Sequence, residues 1–161
     1  FNIPMTGLRF FTVYGTHGRP DMAYFKFTES IIKGKPIEIY NYGKMKRDFT
    51  YIKDIVSGIC LIIDKKPKRI KSKITNSDAA FKIYNIGNNK PITLKRFIYA
   101  IENSSGKKAI KKNLPMQPGD VPVTFADIND IQEDFGFEPK TSIEEGIEIF
   151  VKWYQENKIS I

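Results

Sequence analysis

The sequence predicts a mixed α/β unit whose strands are few and separated by helices and loops. Three stretches carry this reading. "TGLRFFTVYG" (Thr6–Gly15) is rich in aromatic and β-branched residues and ends in glycine, the pattern of a buried strand running into a turn. Ile52, Ile55, Val56, Ile59, Cys60 and Ile63 recur at spacings of three and four, the pattern of a helix with one buried face. Ser142 and Glu145 form a capping box ahead of Ile143, Ile147, Phe150, Val151 and Tyr154, the clearest helix in the chain. A doubly wound sheet needs more strands than this. If Thr6–Tyr14 belongs to a larger parallel sheet, the chain holds the tail of that sheet plus a smaller α/β lobe.

The remaining elements follow in order. Asp21 is positioned to cap a helix from about Met22 to Lys33, with Phe25, Ile31 and Ile32 in a partial stripe and Gly34 as its stop. "PIEIY" (Pro36–Tyr40) alternates like a strand. After the helix at 52–63 comes a loop of low hydrophobicity, Lys65 to Ala80, and then a short strand, Phe81–Gly87. Thr93 opens a helix carrying Leu94, Phe97, Ile98 and Ile101, "AIKKNLP" reads as an edge strand, and Asp127 starts a short helix from Ile128 to about Phe135. No repeat, low-complexity tract or linker divides the chain, so residues 1–161 read as one unit.

Composition is that of a globular domain: 161 residues, 41% hydrophobic, 27% charged and 13% aromatic. The longest apolar run lies near Ile59–Ile63, far below the roughly 18 residues a membrane span requires, and the chain reads as soluble. The single cysteine, Cys60, is expected as a buried small hydrophobe and fits a reducing compartment. The net charge of +8 raises nucleic acid as a partner, but much of the excess sits in Lys65–Lys73 and Lys107–Lys112. These runs lack the interleaved aromatics of a single-strand platform. The chain begins at Phe1 without a basic leader or signal-peptide core, and it is expected to be a piece of a longer protein.

The chain has no P-loop, G-x-G-x-x-G, H-E-x-x-H or C-x-x-C, and its one histidine, His17, excludes multi-histidine metal sites. Glu144, Glu145 and Glu148 read as the solvated side of a capped helix. What the sequence offers is anion chemistry. Arg19 precedes a helix N-terminus, where free N–H groups favour a negative group. Arg47, in "KMKRDFTYIKDI", stands between a strand-like run and a helix, and its planar fork suits phosphate or carboxylate oxygens. The residues alone leave a plainer alternative open, in which Arg47 pairs with Asp48 or caps a carbonyl.

"LRFFTVYG", "GRPDMAYFKF", "IEIYNYGKMKRDFTYIKDIVSGI", "YNIGNNKPITL" and "MQPGDVPVTFADI", in this order and spacing, resemble the C-terminal half of extended short-chain dehydrogenases/reductases acting on nucleotide sugars. The similarity covers nearly the whole chain and is greatest to UDP-glucuronate 4-epimerases of capsular-polysaccharide type. It implies an α/β fold made of the last strands of a Rossmann-type sheet, residues 1–20, and a small substrate-binding lobe, mostly 21–161, with some segments returning to the sheet.

The resemblance also implies roles. Arg47 would clamp the substrate pyrophosphate, with Asp48 as its orienting partner or a structural residue. Tyr40 would lie beside uracil, although edge packing explains it equally. Asp120 would accept from ribose hydroxyls and Gln117 would stand near the nucleotide; galactose-type relatives carry arginine at the latter position. Phe10 and Phe11 would flank the nicotinamide of NAD, and because adjacent strand residues point to opposite sides, the residues alone leave open that at least one belongs only to the core. Thr12 and Arg19 resemble the pair that holds a hexuronate carboxylate. "GTHGRPD" departs from the commoner G-P-W-G-R-P-D at Thr16 and His17.

The implied activity is oxidation at sugar C4 by tightly held NAD, rotation of the 4-keto sugar and re-reduction, interconverting UDP-glucuronate and UDP-galacturonate. A cytoplasmic homodimer without nucleic-acid or membrane partners is implied as well. The glycine loop and the Tyr-x-x-x-Lys of the family are expected upstream of Phe1, so the 161 residues alone are expected to be inactive. Other nucleotide-sugar epimerases, dehydratases and decarboxylases share several blocks. A non-catalytic UDP-sugar binder and a basic nucleic-acid-binding domain are the remaining alternatives.

Overall fold

The aromatic, β-branched run after Pro4 forms two strands where one was expected. In the computed structural model, which describes residues 3–67 and 80–157, β1 (Met5–Phe10) pairs in parallel with β6 (Phe81–Ile86). β2 (Thr12–Tyr14) pairs in parallel with β5 (Phe49–Tyr51). Phe11 is the joint: its N–H still donates to Ile86 O at 3.3 Å, and the next N–H, of Thr12, donates to Asp48 O at 3.2 Å. Strict alternation breaks across the joint, since Leu8, Phe11 and Val13 all pack on one apolar group, and an unbroken run of apolar and β-branched residues does not mark that shift. The expected burial also fails for β1, where Met5 and Phe10 are exposed.

α1 (Ala23–Ile32) starts one residue later than expected, with Met22 at its cap and no side chain capping it. Asp21 is not the cap, because Arg19 takes both of its carboxylate oxygens. Gly34, at φ 65°, follows the helix end. β3 (Pro36–Ile39) pairs in parallel with β8 (Ile110–Asn113), an edge strand whose four residues are all exposed. Between β3 and β4 (Lys46–Arg47) the backbone turns left-handed over Asn41, Tyr42 and Gly43, at φ 49°, 51° and 74°. β4 pairs antiparallel with β7 (Ile92–Thr93). Strands of two or three residues carry no measurable period, and β4, β5 and β7 were not among the expected elements.

The helix signals fare better. α2 spans Ile52–Ile62, α3 Leu94–Ser105, α4 Asn129–Phe135 and α5 Ile143–Asn157. Thr93 Oγ1 accepts from Arg96 N–H, and Ser142 Oγ accepts from Glu145 N–H, each at 3.2 Å, satisfying donors that a helix start leaves unpaired. Asp127 Oδ1 accepts from Asn129 N–H at the start of α4.

Two apolar groups hold these elements. In the larger, α1, α3 and α5 close over β2, β3 and β5, and Phe49 stacks face to face on Phe97 at 4.5 Å. In the smaller, Ile55 and Ile62 of α2 and Ile131 of α4 pack with Tyr84 and Ile86 of β6. Each such side chain contributes roughly 1.5–3 kcal/mol through burial. Cys60 is not in either group but exposed. α2 is apolar on two faces: Ile55, Gly58 and Ile62 turn inward while Val56, Cys60 and Ile63 turn out. Spacing alone could not choose between them.

Candidate functional site

Gln117-Pro118-Gly119-Asp120 is a tight turn closed by Asp120 N–H donating to Gln117 O at 3.2 Å. Proline presets the second position, and Gly119 supplies the positive φ, 81°, that the third position of a type II turn requires. The turn delivers the Asp120 carboxylate to Arg47, with Nη2 2.6 Å from Oδ1. Arg47 Nη1 donates to Lys46 O at 3.0 Å and Val121 O at 2.7 Å. Two backbone bonds join the same segments, Lys46 N–H to Pro122 O and Thr124 N–H to Lys46 O. The fork therefore both pairs with a carboxylate and caps carbonyls. Among the described residues, Arg47 Nε and Asp120 Oδ2 make no hydrogen bond, so the pair, whose side chains are 22% and 29% exposed, keeps a donor and an acceptor to spare.

Asp48 does not orient Arg47. It is fully buried, and its oxygens accept from three backbone N–H groups: Asn88 on Oδ1, and Asn89 and Ala126 on Oδ2, at 2.9, 2.9 and 2.8 Å. Its own carbonyl takes Thr12 N–H. One carboxylate thus fastens the turn after β6 and the segment leading away from Asp120 to the segment bearing Arg47. Gly87 is needed for this approach, because a methyl group there would overlap Ala126 Cβ and crowd Asp48. Of the two roles open to Asp48, the structural one is observed.

A second assembly surrounds a cavity of about 600 Å³ whose walls include Phe10, Phe11, His17, Arg19, Tyr24 and Ile52. Phe10 is half exposed, whereas Phe11 packs partly into the smaller apolar group, so one of the adjacent rings does serve the core. Arg19 donates from Nε and Nη2 to the two oxygens of Asp21, at 3.0 and 2.6 Å. This exposed pairing raises the pKa of Arg19 and lowers that of Asp21, each chiefly through the hydrogen bonds between them. Thr12 lies opposite Phe49 in the β2–β5 pair, on the strand linking the Asp48 anchor to this loop.

Tyr40 and the Gln117 side chain are not tied to either assembly. The Tyr40 hydroxyl donates to Glu38 Oε2 at 3.0 Å, a bond that raises the tyrosine pKa, and Glu38 also receives Lys112. Gln117 is exposed and takes part through its carbonyl alone. Trp153, which the sequence reading passed over, packs against His17 with ring centroids 4.8 Å apart. Its only sequence signal is its place beside Phe150 and Tyr154 on a strongly patterned helix.

The spacing Tyr-x-x-x-Lys occurs at Tyr40–Lys44 and Tyr42–Lys46, but the left-handed backbone between them keeps those pairs off a common helix face. It occurs again at Tyr154, which is buried and whose Lys158 lies outside the described residues. No group of three His, Cys, Asp or Glu that could hold a metal ion occurs among the described residues. No described helix is long and apolar enough to cross a membrane.

Comparison with known proteins finds relatives along nearly the whole chain. A family model described as "NAD dependent epimerase/dehydratase family" matches residues 1–87. Protein CapI of Staphylococcus aureus is 49% identical over 163 residues, covering 97% of this chain and 48% of that protein. A probable UDP-glucuronate 4-epimerase of Rhizobium meliloti is 44% identical, covering 98% of this chain and 48% of its own length. The crystal structure of a UDP-glucuronic acid 4-epimerase from Bacillus cereus in complex with UDP-glucuronic acid and NAD superimposes with a TM-score of 0.82 at 31% identity, over 98% of this chain and 47% of that one. The chain spans about half the length of the curated relatives it matches.

Proposed function

Since this chain belongs to the NAD dependent epimerase/dehydratase family and shares the Rossmann-type α/β fold of its solved relatives, we propose that it is the nucleotide-sugar-binding half of an NAD-dependent UDP-glucuronate 4-epimerase. The observation that carries the reading is the Arg47–Asp120 pair, which sets a cationic fork and a carboxylate at one point. That combination suits a pyrophosphate oxygen beside a ribose hydroxyl, the first needing donors and the second an acceptor. Asp48 holds the segments that bear both groups, so the pair is preorganised before substrate arrives.

On this reading Arg47 binds the pyrophosphate, Asp120 the ribose, and Tyr40 and Gln117 flank the nucleotide. Thr12 and Arg19 receive the sugar carboxylate. Opening the Arg19–Asp21 contact costs little, because both groups are largely in water. The half-exposed Phe10 ring and its neighbour Phe11, on the cavity wall, fit the flat face of a nicotinamide. NAD, when bound, supplies the hydride chemistry at sugar C4; this chain orients the sugar and holds its two anionic ends. The strands β1 and β6 then belong to the cofactor-binding sheet and the larger apolar group to the substrate lobe. A role in precursor synthesis for surface polysaccharide, a cytoplasmic location and a homodimeric assembly go with the reading.

The test is incubation of the full-length protein with UDP-glucuronate and, separately, UDP-galacturonate, followed by anion-exchange chromatography. Both should converge on the same mixture. Accumulation of a 4-keto sugar or a pentose, or turnover confined to neutral UDP-hexoses, overturns the assignment in favour of a dehydratase, a decarboxylase or another epimerase. The 161 residues alone should produce no product, because they carry only this half of the site.

A further inference from the structure

The loop from Gly15 to Asp21 joins β2 to α1 and carries Arg19, whose side chain, among the described residues, bonds to Asp21 alone, a partner two residues on that moves with it. Something else must fix the loop on the body of the protein. Two contacts do so. Gly18 lies so close to Tyr24 that a methyl group in its place would overlap the tyrosine hydroxyl. His17 adopts φ 59°, a left-handed conformation unfavourable for a residue with a Cβ, and its ring packs on Trp153 at 4.8 Å and 52°. Trp153 is itself held in α5 by Phe25 and Phe150, with centroids 6.2 and 5.9 Å away. Strain at His17 persists where neighbouring contacts over-determine it, and the indole is the neighbour in question.

We propose that Trp153 positions Arg19 through the His17 ring, and so sets the preference of the site for an acidic sugar. The inference rests on the function proposed above. Arg19 is adjacent to a glycine, so release of the His17 ring frees rotation in the two residues that aim the guanidinium. Arg47 and Asp120 are fixed by a separate set of bonds through Asp48 and do not depend on the stack.

Binding of UDP and of UDP-glucuronate to the full-length protein is measured by calorimetry for the wild type, Trp153→Ala and Trp153→Phe. Loop amide exchange is measured on the same proteins without added nucleotide. Trp153→Ala should weaken UDP-glucuronate binding by about tenfold, leave UDP within about twofold, and speed exchange at residues 16–19; Trp153→Phe, which keeps a ring, should restore wild-type values. An unchanged ratio of the two affinities, or equal losses for both ligands, overturns the proposal. UDP-glucose is measured on the same proteins: Trp153→Ala should spare it, and a wild type that does not prefer UDP-glucuronate over UDP-glucose defeats the substrate reading. The exchange rates then still decide whether the stack holds the loop, and unchanged rates in Trp153→Ala defeat that too.

Discussion

Arg47 and Asp120, seventy-three positions apart in the chain, meet at 2.6 Å. Neither spends all of its hydrogen-bonding capacity on the other: among the described residues, Arg47 Nε and Asp120 Oδ2 make no hydrogen bond. A site for a nucleotide diphosphate needs this mixture of donor and acceptor.

Arg47→Ala should weaken UDP and every UDP-sugar alike, since all share the pyrophosphate. A charge-assisted hydrogen bond contributes about 1.5–3 kcal/mol, so affinity should fall about ten- to a hundredfold. Calorimetry on the full-length protein checks this, and unchanged UDP affinity would leave Arg47 with only its contacts to the 120–122 segment.

Arg19→Ala should behave differently, raising the dissociation constant for UDP-glucuronate while sparing UDP-glucose and UDP. A site that selects the acid must replace the water lost by its carboxylate with fixed donors, and a guanidinium supplies more than the single hydroxyl of Thr12. Parallel losses for all three ligands would instead identify Arg19 as a brace for its loop against Asp21.

Asp48→Ala should destabilise the protein by about 3 kcal/mol or more, because three backbone N–H groups lose their acceptor and at least one of them is buried. Asp48→Asn, which retains one acceptor oxygen, should fall between this and the wild type. Urea denaturation monitored by circular dichroism gives the comparison; an Asp48→Ala protein as stable as the parent contradicts the anchoring role.

Gly18→Ala should cost about 1–3 kcal/mol through crowding against Tyr24. Adding Tyr24→Phe removes the overlapping oxygen and should recover part of the loss. A double-mutant cycle with no coupling between the two positions would place the strain elsewhere.

Glu102, in α3, is nearly inaccessible. Burial pushes its pKa up, but the bonds from Lys111 Nζ and Ala109 N–H, with the charges of Lys111 and Lys108, outweigh that and leave it below the usual value. A carboxyl depressed on folding adds stability above its unfolded pKa, about 4.3, and loses it as pH falls through the lower folded value. Glu102→Gln should therefore flatten the acid limb of a stability profile below about pH 4.3. An unaltered limb would remove Glu102 from the acid response.

The parts of this structure that could be read in the sequence are those with long local signals. Thr93 and Ser142 are legible at helix starts because capping is a contact within one turn, and four of the five helices follow from stripes of ten residues or more, the short α4 being the exception. Failures came where partners are distant or faces equivalent. Cys60 sits on the outward side of a helix apolar on both sides, Asp21 was drawn from its capping position by Arg19, and the strand break at Phe11 exists only because Ile86 and Asp48 lie in different places. For the site, the family resemblance pointed to Arg47 and Asp120, which the fold brings together. The three N–H groups on Asp48 come from segments about 40 and 80 positions away and leave no local trace.

The parallel pairs have a further meaning for how the chain acquires its shape. Met5 waits for Phe81 and Pro36 for Ile110, each more than seventy positions later, and no strand among those described pairs with its immediate successor. A chain built this way cannot gain sheet structure by zipping up local hairpins; it must close long loops first, at an entropic cost that slows folding relative to a helical bundle of equal length. On the ribosome, residues 36–39 emerge long before residues 110–113 are made, so Ile37 and Ile39 depend on early helices, or on chaperones, for cover. Destabilising α1 or α3 should consequently reduce soluble yield more than it reduces the equilibrium stability of protein that has already folded.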